Sequence, residues 1–284
     1  GQGHETSFAQ VAAEWLGLPV ADVNVIVGDT DIVKIGGGSH SGRSMRMAGT
    51  VIVKASDILI EKGKRLAEIV LEASVADIEF SDGAFRVSGT DYSVDLYTLD
   101  RESRTRADLP EDLAGGLSVI ESNEMHTPVF PNGCHICEVE IDEDTGVVEI
   151  SRYAAVDDVG RAINPLIVDG QTHGGIVQGV GQAMWEECVY DSDGQPLCGS
   201  FMDYGMPRAD QFPFFVTELN EVPSPTNPLG IKGAGEAGCV GALPCVQSAL
   251  IDALKPYGIR DVPMPATPNR LWKLIQQNRP NTAA

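Results

Sequence analysis

The sequence predicts an α+β (mixed α/β) fold in two lobes, on three observations. Two segments place alternating apolar residues on either side of a glycine turn, as hairpins do. Helical patterns stand between them without the strict strand–helix alternation of a doubly wound sheet. The 31 glycines and 17 prolines among 284 residues supply many tight turns.

The elements follow in order. Ser7 and Gln10 have the spacing of a capping box, and Phe8, Val11, Ala12, Trp15 and Leu16 then recur along one helix face until Gly17 and Pro19. The run VNVIV, residues 23–27, predicts a strand, followed by a polar, glycine-rich loop over 28–42. A second helix is expected over about 47–71, and DIEFSDGAFRV is a hairpin turning at Asp82-Gly83. Residues 100–116, charged and then rich in Pro and Gly, are expected to connect a first lobe, 1–116, to a second, 117–284.

In the second lobe, CHICEVEID and VVEISRYAAVDD flank a turn ending at Gly146. GGIVQGVGQAMWEE reads as a buried helix whose glycines admit another backbone or a ligand. Pro244 is placed as a first-turn proline for a helix over 246–254, and Thr267-Pro268 starts a last helix through Leu271, Leu274 and Ile275. Trp15, Trp185 and Trp272 fit apolar helix faces and are expected in the core.

A formal net charge of -21 argues against nucleic acid and anionic membranes as partners. No apolar run approaches the ~20 residues of a membrane span. The six cysteines form no disulfide framework, so reduced cytoplasmic thiols are the expectation. Cys134-x-x-Cys137 lacks a second pair at zinc spacing, and metal binding there is not expected. Because residue 1 is Gly rather than Met, a fragment or a processed subunit is expected.

Four glycine-rich stretches each precede or open a predicted helix: Gly1-Gln2-Gly3; residues 36–44; Gly170-Gln171 through Gln178-Gly179; and Gly233-Ala234-Gly235-Glu236. Free N–H groups at helix starts, with glutamine amides and serine hydroxyls, suit an anionic or pterin-like ligand. Each stretch taken alone is better read as a connecting turn. A dinucleotide fold is excluded, since no Gly-x-Gly-x-x-Gly follows a strand with an acid about twenty residues on. The lysine-containing phosphate loop is absent. GGGSHSGRS also lacks the Gly-x-Ser-x-Gly spacing of a serine hydrolase. Asp157 and Asp158 read as turn or ion-pair residues at a strand end, and His4, His40 and His173 as local hydrogen-bonding groups.

Taken in order, GQGHETSFAQ, GGSHSGRSMRMAG, PNGCHICEVEIDEDTGVV, DDVGRAINPLIVDGQTHGGIVQGVG, FMDYGMPRAD and IKGAGEAG resemble the molybdopterin-binding (large) subunit of the xanthine dehydrogenase/aldehyde oxidase, or molybdenum hydroxylase, family. The resemblance covers nearly the whole chain, reads as the C-terminal half of that subunit, and is strongest to bacterial carbon monoxide dehydrogenase-type members.

The resemblance implies roles residue by residue. Gly1, Gln2 and Gly3 would contact the pterin. Ser39, His40, Ser41, Gly42, Arg43 and Ser44 would hold its phosphate or the cytosine dinucleotide extension. Gln171, Gln178 and Gly235 would be further cofactor contacts, and Glu236 the catalytic base. Small neighbours around Glu236 would let cofactor and substrate approach and withhold water from the acid. Molybdenum would be held by the pterin rather than by protein side chains. An upstream half of the subunit, FAD and [2Fe-2S] partner subunits and a dimeric assembly are also implied. The implied reaction is hydroxylation of an aldehyde, an N-heterocycle or a similar small substrate, or carbon monoxide oxidation. The alternative is a non-catalytic scaffold half that docks a partner without binding cofactor.

Overall fold

The first helix, α1 (His4–Leu16), opens at Gly3 rather than at Ser7. Gly3 takes the cap position with φ 69, and the Ser7 hydroxyl donates back to the Gly3 carbonyl at 3.1 Å. Ser7 is therefore a buried first-turn residue, and the expected capping box does not form. Ser7, Ala9, Val11 and Ala13 face inward, small enough for α1 to lie against α2 (Ser44–Leu71). The expected strand at 23–27 is absent: no strand pairs with it, and Ile26 and Val27 are exposed. The computed structural model describes residues 1–279. It divides into two compact units, one of Gly1, Gly3–Pro128 and Ser224–Gly230, the other of Gln2, Val129–Pro223 and the chain from Ile231 on.

In the first unit, β1 (Ile78–Ser81), β2 (Ala84–Val87) and β3 (Ser93–Asp95) form an antiparallel sheet. Asp82 and Gly83 adopt φ 49 and 71, the paired positive values of a two-residue hairpin turn. Phe85 is fully buried against Gly63 of α2, where any side chain would collide with its ring. Helix α3 (Leu96–Thr105) begins at Asp95, whose carboxylate accepts the Thr98 N–H at 2.8 Å. It occupies the first part of the stretch expected as a connection. The cap and the burial of Leu99 and Ser103 outweigh its charged composition.

In the second unit, β4 (Asn132–Ile141) and β5 (Val148–Asp158) are antiparallel around a turn with Gly146 at φ 74, and β6 (Val216–Leu219) runs parallel to β5. Helices α4 (Pro165–Met184), α5 (Ala237–Ala253) and α6 (Pro268–Asn278) complete it. Ile150, Tyr153 and Ala155 of β5 form one core with Ile176, Val180, Val246 and Ile275.

Helix α5 starts well ahead of the expected residue 246, and Pro244 lies inside it. An interior proline costs about 3 kcal/mol. Burial of Ala237, Gly238 and Ala242 against α4 offsets that cost, a tertiary term that no proline rule contains. The α4 glycines admit a backbone. A methyl on Gly175 would stand 2.9 Å from the Cys239 nitrogen, and one on Gly179 would stand 2.7 Å from the Cys239 carbonyl oxygen. The tryptophans are less buried than expected. Trp272 is 39% exposed, Trp185 is half-buried against Phe212, and half-buried Trp15 donates to Asp57 at 2.7 Å. Among the described residues no helix is long and apolar enough to cross a membrane.

The close helix approach generates a paired prediction. Gly238→Ala drives a methyl into the Thr172 carbonyl and should lower stability by about 1–3 kcal/mol. Gly170→Ala meets nothing within 4 Å and should raise stability by up to about 1 kcal/mol through helix propensity. Urea unfolding midpoints of the two variants check both signs.

Candidate functional site

Asp158 ends β5 with its side chain 6% exposed, and four groups donate to it, three of them from distant parts of the chain. These are the Lys232 ammonium, the Gly160 N–H at 2.8 Å, the Val222 N–H at 3.2 Å and the Asn132 amide at 3.2 Å. Burial alone would raise this carboxyl. The Lys232 bond and the other donors outweigh it and hold Asp158 below its ordinary value of 3.8. The Lys232 N–H also donates to the Val159 carbonyl at 2.8 Å, and Ile231 bridges Gly160. The segment leading to Glu236 is thereby strapped to the end of β5.

Glu236 occupies the N-cap position of α5. Its backbone carbonyl accepts the Val240 N–H at 3.0 Å, while its carboxylate makes no capping hydrogen bond. Gly233, Ala237 and Gly238 are buried, but Gly235 and Glu236 are exposed. The expectation that small neighbours withhold water from the acid is not met within this chain. Gly238 makes way for the α4 backbone and closes nothing over the carboxylate.

Gln171 of α4 stands beside this turn, its Oε1 3.6 Å from a methyl built on Gly235. Gln178 lies two turns further along the same stripe and is exposed, and around Gly170 and Gly174 there is open space. Thus α4 presents Gln171, Gly174 and Gln178 outward and turns Thr172, Gly175, Ile176 and Gly179 toward α5. His173 is held locally, with Nε2 3.4 Å from the Thr217 hydroxyl and its ring edge-on to Phe214 and Phe215.

In the first unit, residues 39–44 form the exposed approach to α2, with positive φ at Gly38, Ser41 and Gly42. The Ser39 and Ser44 hydroxyls are 2.7 Å apart, and His40 Nδ1 is 2.8 Å from the Ser41 hydroxyl. Arg43 folds back onto the Gly37 and Gly38 carbonyls, and its Nε is buried with no acceptor from the protein. Arg43 itself caps α2 without a side-chain bond, so the first-turn N–H groups lack intrahelical acceptors. Gly1 and Gln2 are exposed just ahead of α1.

Within the first unit, the serine hydroxyls, the first-turn N–H groups of α2 and one unanswered guanidinium N–H suit an anionic group. No group of three His, Cys, Asp or Glu among the described residues is placed to hold a metal ion.

One cluster escaped the sequence reading. His135 donates or accepts at Tyr153 Oη, 2.8 Å from Nδ1, and its Nε2 lies 3.2 Å from Asp157 Oδ1. Asp157 Oδ2 is buried without a partner. His135 and Asp157 line a cleft of about 870 Å³ between β4 and α5 that contains none of the expected cofactor residues. The strand alternation of NGCHICEVE, which sets Gly133, His135 and Cys137 on one face, was the available signal. Cys137 is no open thiol: burial, then the neighbouring Cys245 and Glu138, push it up to about 12.

Residues 1–213 match the family model described as molybdopterin cofactor-binding domain. The chain is 39% identical, over 97% of its length, to the 6-hydroxypseudooxynicotine dehydrogenase complex subunit gamma of Paenarthrobacter nicotinovorans, covering 35% of that protein. It is 35% identical over 98% of its length to the carbon monoxide dehydrogenase large chain of Afipia carboxidovorans, covering 34% of it. The solved structure of reconstituted CO dehydrogenase from Oligotropha carboxidovorans superposes with a TM-score of 0.88 at 36% identity, over 98% of this chain and 34% of that one. The chain thus spans about a third of the length of the curated relatives it matches.

The Asp158 cluster yields a pH prediction. Its folded value is depressed, so its stabilising contribution is present above the ordinary value of 3.8 and is lost as pH falls through the folded value. Asp158→Asn leaves the Lys232 charge buried and unpaired and should cost about 3–5 kcal/mol at neutral pH. The gap between variant and parent should narrow below pH 3.8, as read from denaturation midpoints across the acid range.

Proposed function

The chain belongs to the molybdopterin cofactor-binding domain family, and on that premise we propose that it is the C-terminal portion of a molybdenum hydroxylase catalytic subunit with Glu236 as its general base. The observation carrying this reading is the Glu236 carboxylate. It is exposed, makes no capping bond, and sits at a turn fixed through Lys232 and Asp158, with the Gln171 amide beside it. A side chain serving only as a helix cap would bond the first-turn N–H groups.

In this reading the α2 approach, Ser39 to Ser44 with its unanswered Arg43 Nε, takes the phosphate end of a molybdopterin, in the cytosine dinucleotide form. Gly1, Gln2 and Gly3, with Gln171, Gln178 and Gly235, take the edges of the pterin, whose ring donors and acceptors match side-chain amides. When bound, the molybdenum centre supplies the two-electron oxidation, with electrons leaving through [2Fe-2S] and FAD partner subunits. Glu236 would take up the proton of the attacking oxygen, a role that requires its carboxylate within hydrogen-bond reach of the reacting atoms. Water now around that carboxylate is displaced when cofactor and the rest of the subunit close over it. The substrate is a small aldehyde, an N-heterocycle or carbon monoxide, in a cytoplasmic, dimeric assembly.

The test uses this chain co-produced with the remainder of the subunit and its partners. Glu236→Gln should lower kcat by about 100- to 10,000-fold while molybdenum and pterin content stay unchanged. Turnover near the parent rate overturns the assigned base. A tight protein complex that carries no pterin through gel filtration makes the chain a docking scaffold instead.

A further inference from the structure

Beyond α4 the chain folds into a small antiparallel ribbon outside both named sheets. Leu197 N–H donates to the Val189 carbonyl at 2.8 Å, Asp191 N–H donates to the Gln195 carbonyl at 3.0 Å, and Tyr190 pairs with Pro196 between them. Its tip is tightly specified. Asp191 Oδ1 accepts the N–H groups of Asp193 and Gln195, both at 2.9 Å, and Gly194 takes φ 80. Proline fits position 196 because a non-hydrogen-bonded site has no use for its missing N–H.

This register has a direct consequence. Stepping back from the 190–196 pair along each arm sets Cys188 opposite Cys198. Hydrogen-bonded and open pairs alternate in such a ribbon, and the bonds join 189 to 197 and 191 to 195. Cys188 and Cys198 therefore occupy an open pair, where Cα atoms lie about 4.5 Å apart and side chains approach most closely. That separation is at the near end of the ~4.4–6.8 Å range a disulfide spans. The Cys198 thiol is engaged only weakly elsewhere, donating to the Val189 carbonyl at 3.9 Å. Cys188 is exposed, within reach of a small oxidant.

We propose that Cys188 and Cys198 are a redox-active pair, oxidised by small-molecule disulfides to a cross-strand bond that closes the base of this ribbon just beyond α4. The Cys188 thiolate attacks one sulfur of R–S–S–R, expels R–S⁻, which takes up a proton, and leaves a mixed disulfide. The Cys198 thiolate then displaces the second R–S⁻, which is likewise protonated. Two protein thiols lose two electrons and two protons, and the oxidant becomes two thiols. The neighbouring Cys198, burial and the Glu186 carboxylate hold the Cys188 thiol above its ordinary value, so the reaction quickens as pH rises.

The staple would restrain more than the ribbon. A methyl on Gly205 would meet the Trp185 carbonyl oxygen at 2.6 Å, and one on Gly181 would meet the Pro207 ring at 2.5 Å. The segment after the ribbon is thus already packed on the last turn of α4, and the new bond would close that arrangement covalently.

The folded full chain, equilibrated with oxidised glutathione in mildly alkaline buffer and then alkylated, provides the test. Free thiols should fall from six to four. A protease cutting at aspartate severs the tip between the two cysteines, so they should be recovered as one cross-linked peptide pair that separates on reduction. Cys188→Ser and Cys198→Ser should each abolish that species. Six alkylated thiols, a glutathione adduct that persists on Cys188, or a cross-link to another cysteine would overturn the proposal.

Discussion

The second unit depends on one buried charge pair. Asp158 closes the longest strand of its sheet, and Lys232 arrives from the segment that leads into α5. Neither charge tolerates burial alone, so each fixes the position of the other. Three further donors saturate the carboxylate, which converts a costly buried group into a rigid junction. The turn bearing Glu236 is held from behind by this junction, leaving its own side chain uncommitted.

A second constraint works from the opposite side. Glycines on α4 and α5 remove the side-chain layer that normally separates two helices, so backbone atoms approach directly. The middle of α4 and the start of α5 are consequently fixed with little rotamer freedom between them, and Gln171 and Glu236 project from a stiff support. A functional group mounted on such a support keeps its geometry better than one on a mobile loop.

Much of this architecture was legible in the sequence, and the misses share a cause. Asp82-Gly83 and Gly146 announced both hairpins because positive φ is a local requirement that few residues meet. Thr267-Pro268 marked the start of α6 for a similarly local reason. Pro244 misled because its penalty is local while its compensation, packing on α4, is not. The strand expected at 23–27 had β-branched residues but no partner edge, and pairing is decided elsewhere in the chain. At the candidate site, the glycine stretches before α2 and α5 were readable as helix approaches. The Asp158–Lys232 link was not, because nothing near either residue names the other. The exposure of Glu236 was missed for the same reason, since small neighbours are compatible both with a dry pocket and with a close helix crossing.

The junction at Asp158 also orders events in time. Three of its four donors lie 26, 64 and 74 positions away along the chain, so no short segment can assemble it. Closing loops of that length carries an entropic cost before any contact repays it. Local pieces such as the β4–β5 hairpin can form early, whereas the turn that presents Glu236 reaches its final shape only when distant parts of the chain have already met. A newly made chain would therefore acquire its β4–β5 hairpin first and the turn that presents Glu236 last.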